Sequence, residues 1–350
     1  MVAFGPALRR RFLLEPGIAF LNHGSFGAAP RAVLAAQARW RRRIEANPDR
    51  FMREVLPRAL RKAAGKLAGF LNADEKDLVF VENATAGANA VLRSLRLRPG
   101  DEILSTNHGY NAVRQAIRFV CERTGARSAE MRIGLPLHSF DSFLAGLEKR
   151  IHGKTRLLVI DHISSPTGLV FPVKRIAALA HARGVPVLVD GAHAPGQVAL
   201  DVPALGADWY AGNCHKWLFA PKGCGFLWAR PRARRELHPL AISHGYGKGF
   251  AAEFDWTGTR DFSGWLAVPE ALAFFRELGP SRLRSHNHRL VTSAAGSISA
   301  AWGTPLDAPP GLHGSMIAIR LPAALQRRDP AALMRELFAR HRTVAVVNAL

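Results

Sequence analysis

Between residues 185 and 225 the chain brings together side chains suited to one kind of chemistry. An apolar run at 185–189 ends on Asp190, and His193 follows three residues later. A second apolar run at 207–211 then leads into Asn213, Cys214, His215 and Lys216. An acid and an amine delivered by two strands are what a pyridoxal-phosphate site needs. The Lys216 amine would hold the cofactor aldehyde as a Schiff base. The Asp190 carboxylate would keep a proton on the pyridine nitrogen, so that the ring can draw electrons from a substrate α-carbon. Taken singly, Lys216 reads as a surface lysine and Asp190 as a turn acid or helix cap. Their joint placement at two strand ends reverses that weighting, because ligands of α/β sheets bind at the carboxyl ends of strands.

Other turns at strand ends add to this set. Asn83-Ala84-Thr85-Ala86-Gly87 follows a strand expected at 77–82 and opens an Ala-rich helix to about residue 95. A helix start of small residues presents backbone N–H groups from which a phosphate can accept, although Asn83 or Thr85 is also a simple N-cap candidate. Asn107-His108-Gly109-Tyr110-Asn111 follows a strand at 103–106, and either its imidazole or its phenol can stack on a flat ring. The unbroken apolar strand at 156–160 leaves through the polar turn Asp161-His162-Ile163-Ser164-Ser165-Pro166-Thr167-Gly168. Asn22-His23-Gly24-Ser25, in a Gly-rich loop, reads on its own as a plain turn.

The elements that must position these residues alternate in type. Helices are expected at 31–44, 56–71, 83–95, 111–122, 141–150 and 172–183. Strands at 18–22, 129–135 and 226–229 complete the first part, with 226–229 at the sheet edge. This order predicts an α/β, mostly parallel, doubly wound sheet. Helices at 263–278, 281–302 and 330–342, with strands at 316–321 and 343–347, predict a smaller C-terminal α+β domain. The division is an N-terminal arm at 1–19, a large domain at 20–262 and a small domain at 263–350. The glycine-rich stretch at 244–250 lacks the strand-then-helix setting of a dinucleotide fingerprint.

The chain of 350 residues is 48% hydrophobic, enough for one large core and a smaller one. Its apolar runs fall short of the roughly 20 residues of a membrane span, and the N-terminus lacks a signal-peptide pattern. A cytoplasmic protein is expected. Cys121, Cys214 and Cys224 form no metal-ligand spacing, so no metal is expected and a reducing compartment suits them. The net charge is +21, mostly from arginine. That charge could mark a nucleic-acid partner, but the basic clusters at 9–11, 41–43 and 230–235 are separated and no recognition motif joins them.

The motifs LNHGSFGAAP, NATAGAN, NHGYNAV, DHISSPTG, VDGAHAPG, CHKWLFAPKGCGF and DWTGTRD occur in this order over residues 20–262. Together they resemble the class V aminotransferase family of fold-type I pyridoxal-phosphate enzymes, in the branch named for isopenicillin N epimerase. The resemblance implies a three-layer large domain and pyridoxal 5'-phosphate as cofactor. Lys216 would be the Schiff-base lysine and the base that moves the α-proton. Asp190 would pair with the pyridine nitrogen, and His193 would meet the ring hydroxyl. Thr85, the backbone of Ala86, His215 and Asn213 would cradle the phosphate, while Tyr110 or His108 would stack on the ring. Thr259 would reach the phosphate of a neighbouring subunit, which implies a homodimer. Asn22, His23 and Ser165 would lie on the substrate side, the substrate being an amino acid or a derivative of one.

Two departures from the family pattern bear on function. Family members continue with a strand, an R-x-S arginine that clamps the substrate carboxylate, and a last helix. Here the clamp is unassigned, since Arg320 sits in an ill-matched motif, and the strand at 343–347 is expected to lie open. Desulfurase relatives use a C-terminal cysteine as sulfur acceptor, whereas no cysteine follows Cys224. The expected activity is therefore epimerisation, transamination or lysis at an α-carbon. The alternatives are a cofactor-binding protein without turnover and a basic nucleic-acid binder. Only the first two require Asp190, His193 and Lys216 together.

Overall fold

The computed structural model describes residues 3–348. Nine strands occur among them: β1 (Ala19–Phe20), β2 (Leu78–Val81), β3 (Glu102–Thr106), β4 (Arg127–Met131), β5 (Thr155–Asp161), β6 (Val187–Gly191), β7 (Trp209–Asn213), β8 (Gly225–Ala229) and β9 (Thr343–Val344). Seven form one sheet in the order β2-β8-β7-β6-β5-β3-β4. The pairs from β7 through β4 are parallel, and β8 runs antiparallel to both of its neighbours.

Strand side chains alternate between faces, and the core divides accordingly. Leu157 and Val159 of β5, Leu188 of β6, Ala211 of β7 and Leu227 of β8 meet helices Ala84–Ser94 and Asn111–Thr124 through Ala88, Val91, Val113 and Ile117. Leu158, Ile160, Val187, Val189, Tyr210 and Phe226 point the other way. They share a cluster with Val33, Leu60, Phe143, Ile176 and Phe274 from five further helices. Each fully buried Leu or Phe contributes about 1.5–3 kcal/mol, so the sheet is held from both sides. This is the three-layer α/β architecture that the strand and helix order predicts.

Three expectations change. Residues 225–229 lie inside the sheet, between β2 and β7, instead of at its edge. The loop from β7 to β8 holds no helix to make the crossover that a parallel neighbour usually requires, and the chain turns back antiparallel. Residues 316–321 form no strand. Their backbone crosses the turn at Gly168, where an added Cβ would stand 2.5 Å from the Met316 carbonyl oxygen. The strand expected at 343–347 shortens to β9 and is not open, since Ala19 pairs with Thr343 and Phe20 with Val344. Beyond the sheet lie helix Pro280–Trp302 and helix Pro330–His341. Among the described residues, no helix is long and apolar enough to cross a membrane.

Candidate active site

The site forms where β5, β6 and β7 end. Asp161, Asp190 and Ala211 occupy adjacent places in the ladder, Asp161 beside Asp190 and Asp190 beside Ala211. Asp190 is buried, and its carboxylate accepts from the backbone N–H of Ala192 at 3.0 Å. Lys216 lies in the loop after β7, and its Nζ stands 3.2 Å from Nε2 of His193. The acid and the amine are thus brought to one place, as their order in the sequence predicts.

Desolvation dominates the electrostatics here. It lowers the Lys216 amine to about 8, against the opposing pull of Asp190. Burial pushes His193 well below the usual imidazole range, with the Lys216 charge adding to the effect. His23 and His215 both fall to about 4, chiefly through burial. The imidazoles around the lysine are therefore neutral near pH 7. Desolvation raises Asp190, while the Ala192 N–H and Lys216 oppose that shift.

Glycines let the chain close over the amine. The short helix His23–Phe26 is capped by Asn22, whose Oδ1 accepts from the Ser25 N–H at 3.1 Å. A Cβ on Gly24 would touch Trp217, His193 and Met316 at 3.5–3.7 Å, so this loop lies on the site. A Cβ on Gly27 would lie 2.3 Å from the Lys216 carbonyl oxygen and 2.6 Å from that of His215. His23 accepts the Ala28 N–H at Nδ1, 3.4 Å away, and Lys222 contributes to its low pKa.

The residues expected around a phosphate mostly frame the helix Ala84–Ser94. Asn83 caps it by accepting from the Ala86 N–H at 2.9 Å, so the cap holds the donor expected to face an anion. Asn213 accepts from the Ala84 N–H at 2.8 Å, and His215 Nδ1 lies 2.9 Å from the Cys224 carbonyl oxygen. Thr85 is half-buried in the first turn. Thr259 is exposed, on the loop that Arg260 ties to Glu82 and Asp261 ties to Arg41.

The structure separates the two candidates for ring stacking. His108 is buried, with Nδ1 3.1 Å from Thr167 Oγ1 and Nε2 3.2 Å from the Ile133 carbonyl oxygen. Both of its nitrogens are used within the protein. Tyr110 is 43% exposed, and its ring centroid lies 6.0 Å from Lys216 Nζ. Tyr110 and Ser165 line a cavity of about 650 Å³ together with Asn107, Arg114 and Arg132. Arg320 lies elsewhere, paired with Asp307 at 2.5 Å.

The donor set fits pyridoxal phosphate. Asp190 is a buried carboxylate suited to a protonated ring nitrogen, and the Lys216 amine, which gives up its proton more easily than an ordinary lysine, is suited to an aldehyde. His193 Nδ1 is buried with no partner among the described residues, an orphan that a ring hydroxyl can satisfy. Among the described residues no cluster of His, Cys, Asp and Glu could hold a metal ion. Sequence reasoning missed two ionisable neighbours. Lys222 acts on His23 and His215. Asp161 was visible as the first residue of a motif, but its place beside Asp190 depends on strand order.

Comparison with known proteins gives the family. The model of the family "Aminotransferase class-V" matches residues 21–336. A putative L-cysteine desulfhydrase 1 of Oryza sativa subsp. japonica is 40% identical over 92% of this chain and 70% of its own length. An isopenicillin N epimerase of Streptomyces clavuligerus is 35% identical over 97% of this chain and 89% of its own. Among solved structures, the cystine C–S lyase C-DES in complex with its product cysteine persulfide superposes with a TM-score of 0.83 at 22% identity. That superposition covers 94% of this chain and 90% of the other, and it shows a shared fold. The chain therefore belongs to the class-V aminotransferase family and is a pyridoxal-phosphate-dependent enzyme.

Proposed function

We propose that this enzyme removes the α-proton of a cysteine-like amino acid and cleaves its Cβ–S bond, releasing the sulfur as sulfide. The observation that carries the reading is the Lys216 amine, lowered to about 8, 3.2 Å from His193 and close enough to Asp190 to feel its charge. When bound, pyridoxal phosphate supplies an electron sink for the α-carbon. Lys216 would anchor the cofactor through its amine, and the same amine would be the base at the α-hydrogen of the substrate. Asp190 would hold the proton on the ring nitrogen, His193 would meet the ring hydroxyl, and Tyr110 would lie against the ring face. Thr85, Ala86, Asn213 and His215 would surround the phosphate end, and Asn22, His23 and Ser165 the substrate end.

The cysteines favour lysis over transfer of sulfur to the protein. Cys121, Cys214 and Cys224 are all buried, and burial raises each thiol above its ordinary range. None offers a thiolate to accept sulfur. The L-cysteine desulfhydrase relative supports the same choice. Epimerisation is the second reading, supported by the epimerase relative and by the Tyr110 phenol near Lys216. We further infer a cytoplasmic homodimer in which Thr259 reaches the neighbouring site.

The test is to load the purified protein with pyridoxal phosphate and add L-cysteine. Equimolar sulfide and pyruvate are expected, together with a visible absorbance band that borohydride bleaches and that Lys216→Ala lacks. Inversion of an α-deuterated amino acid without sulfide release would instead establish the second reading.

A further inference from the structure

Two buried carboxyl groups stand side by side at the site, and the reaction as read above uses only one. Asp161 ends β5 and Asp190 lies near the end of β6, directly beside it in the parallel ladder. Strands in such a ladder are about 4.8 Å apart. Asp161 alternates with Leu157 and Val159, and Asp190 with Leu188, so both point to the face covered by helix Ala84–Ser94. Each is 4% exposed. Two carboxylates this close in a dry site do not both ionise.

Their surroundings decide which one carries the charge. Asp190 has the Lys216 amine and the Ala192 N–H on its side. On the Asp161 side, the only groups among the described residues that oppose its protonation are backbone N–H groups, its own and that of Tyr110. The other titratable groups around the pair are His193 after β6, Tyr210 in β7, His162 after β5, and His108 in the loop of Tyr110. Burial holds all three imidazoles below their ordinary range. The Tyr210 phenol lies 2.9 Å from His162 Nδ1, and burial together with Asp190 raises it well above its ordinary value. None of these supplies Asp161 with a cation.

We propose that Asp161 is a neutral positioning acid. It keeps its proton through neutral pH, which leaves Asp190 as the single ionised carboxylate at the cofactor nitrogen, and its carbonyl oxygen anchors the Tyr110 loop against the ring. Burial first, and the neighbouring Asp190 charge second, push its pKa in the direction this requires, and together they outweigh the opposing pull of the Tyr110 and Asp161 backbone N–H groups. The inference rests on the roles given above to Asp190 and Tyr110.

Asp161→Asn retains an oxygen for the Tyr110 N–H and has nothing to titrate, whereas Asp161→Ala retains neither. Binding of pyridoxal phosphate, followed by quenching of tryptophan fluorescence at neutral pH, is expected to stay within about twofold of wild type in the Asn variant. It is expected to weaken by about tenfold in the Ala variant, the loss of one buried hydrogen bond. A second measurement needs no cofactor. Folded Asp161 binds its proton more tightly than the unfolded chain does, so its contribution to stability is lost as pH rises above the ordinary carboxyl range. Between about pH 5 and about pH 8 the wild-type apoprotein is therefore expected to lose unfolding midpoint relative to Asp161→Asn. An Asn variant as weak as the Ala variant, or parallel pH profiles for wild type and Asp161→Asn, would overturn the proposal. So would an Ala variant that folds and binds like wild type. If Asp161→Ala does not fold, the comparison of Asn with wild type decides alone. Asp190→Ala separates the two levels: unchanged cofactor affinity there would sink the site reading, while the apoprotein profiles still judge the Asp161 proton.

Discussion

At the residue scale, the chemistry depends on an amine that the fold makes easier to deprotonate. Lys216 is half-buried and lowered to about 8, so about a tenth is free amine at pH 7, far more than for an ordinary lysine. Covalent capture of pyridoxal phosphate by the apoprotein needs that free amine. Its rate, followed by absorbance, is expected to rise with pH and to level off above about 8. The same shift has a linkage consequence of fixed sign. The folded state binds this proton more weakly than the unfolded chain does, so between about 8 and the ordinary lysine value the apoprotein gains stability as pH rises. Lys216→Ala is expected to abolish borohydride-stable attachment of the cofactor and to slow α-hydrogen exchange by about a thousandfold, measured by deuterium incorporation. Retained exchange in that variant would remove Lys216 from its role as base.

At the element scale, the site exists because two short segments lie against the β7–β8 loop. Gly27 has an ordinary backbone conformation, with φ −53°, so its need for glycine is purely one of space. Gly27→Ala would push a methyl into the carbonyls of His215 and Lys216. It is expected to cost about 1–3 kcal/mol in urea unfolding and to loosen cofactor binding in the same titration. The helix Ala84–Ser94 is held differently, by Asn83 at its cap and by Asn213 reaching the Ala84 N–H from β7. Asn83→Ala is expected to cost about 1 kcal/mol by chemical denaturation. Rescue of cofactor affinity by Asn83→Asp would locate the effect in the cap.

At the scale of the whole molecule, the high positive charge is spread over faces where many arginines meet carboxylates, as at Arg11–Glu277, Arg114–Glu130 and Arg150–Glu102. A shared site across a dimer is the assembly proposed above for Thr259. Sedimentation is expected to give a dimer, and Thr259→Ala to weaken pyridoxal-phosphate binding several-fold without dissociating it. A monomer with full cofactor affinity would refute that arrangement. The fold class and the lysine, acid and imidazole of the site were legible in the sequence, because strand and helix patterns have distinct periods and motifs sit at strand ends. Local pattern does not carry strand order. It therefore put residues 226–229 at an edge, left β9 without the partner that Ala19 and Phe20 provide, and concealed that Asp161 stands beside Asp190. The surroundings of His108 and Tyr110 were also tertiary, since only packing shows that Thr167 and Ile133 lie against both nitrogens of the His108 imidazole while Tyr110 stays exposed. Residue types and their order determined which chemistry this protein can perform. Which groups face one another, and which of them keep their protons, was decided by contacts between segments far apart in the chain.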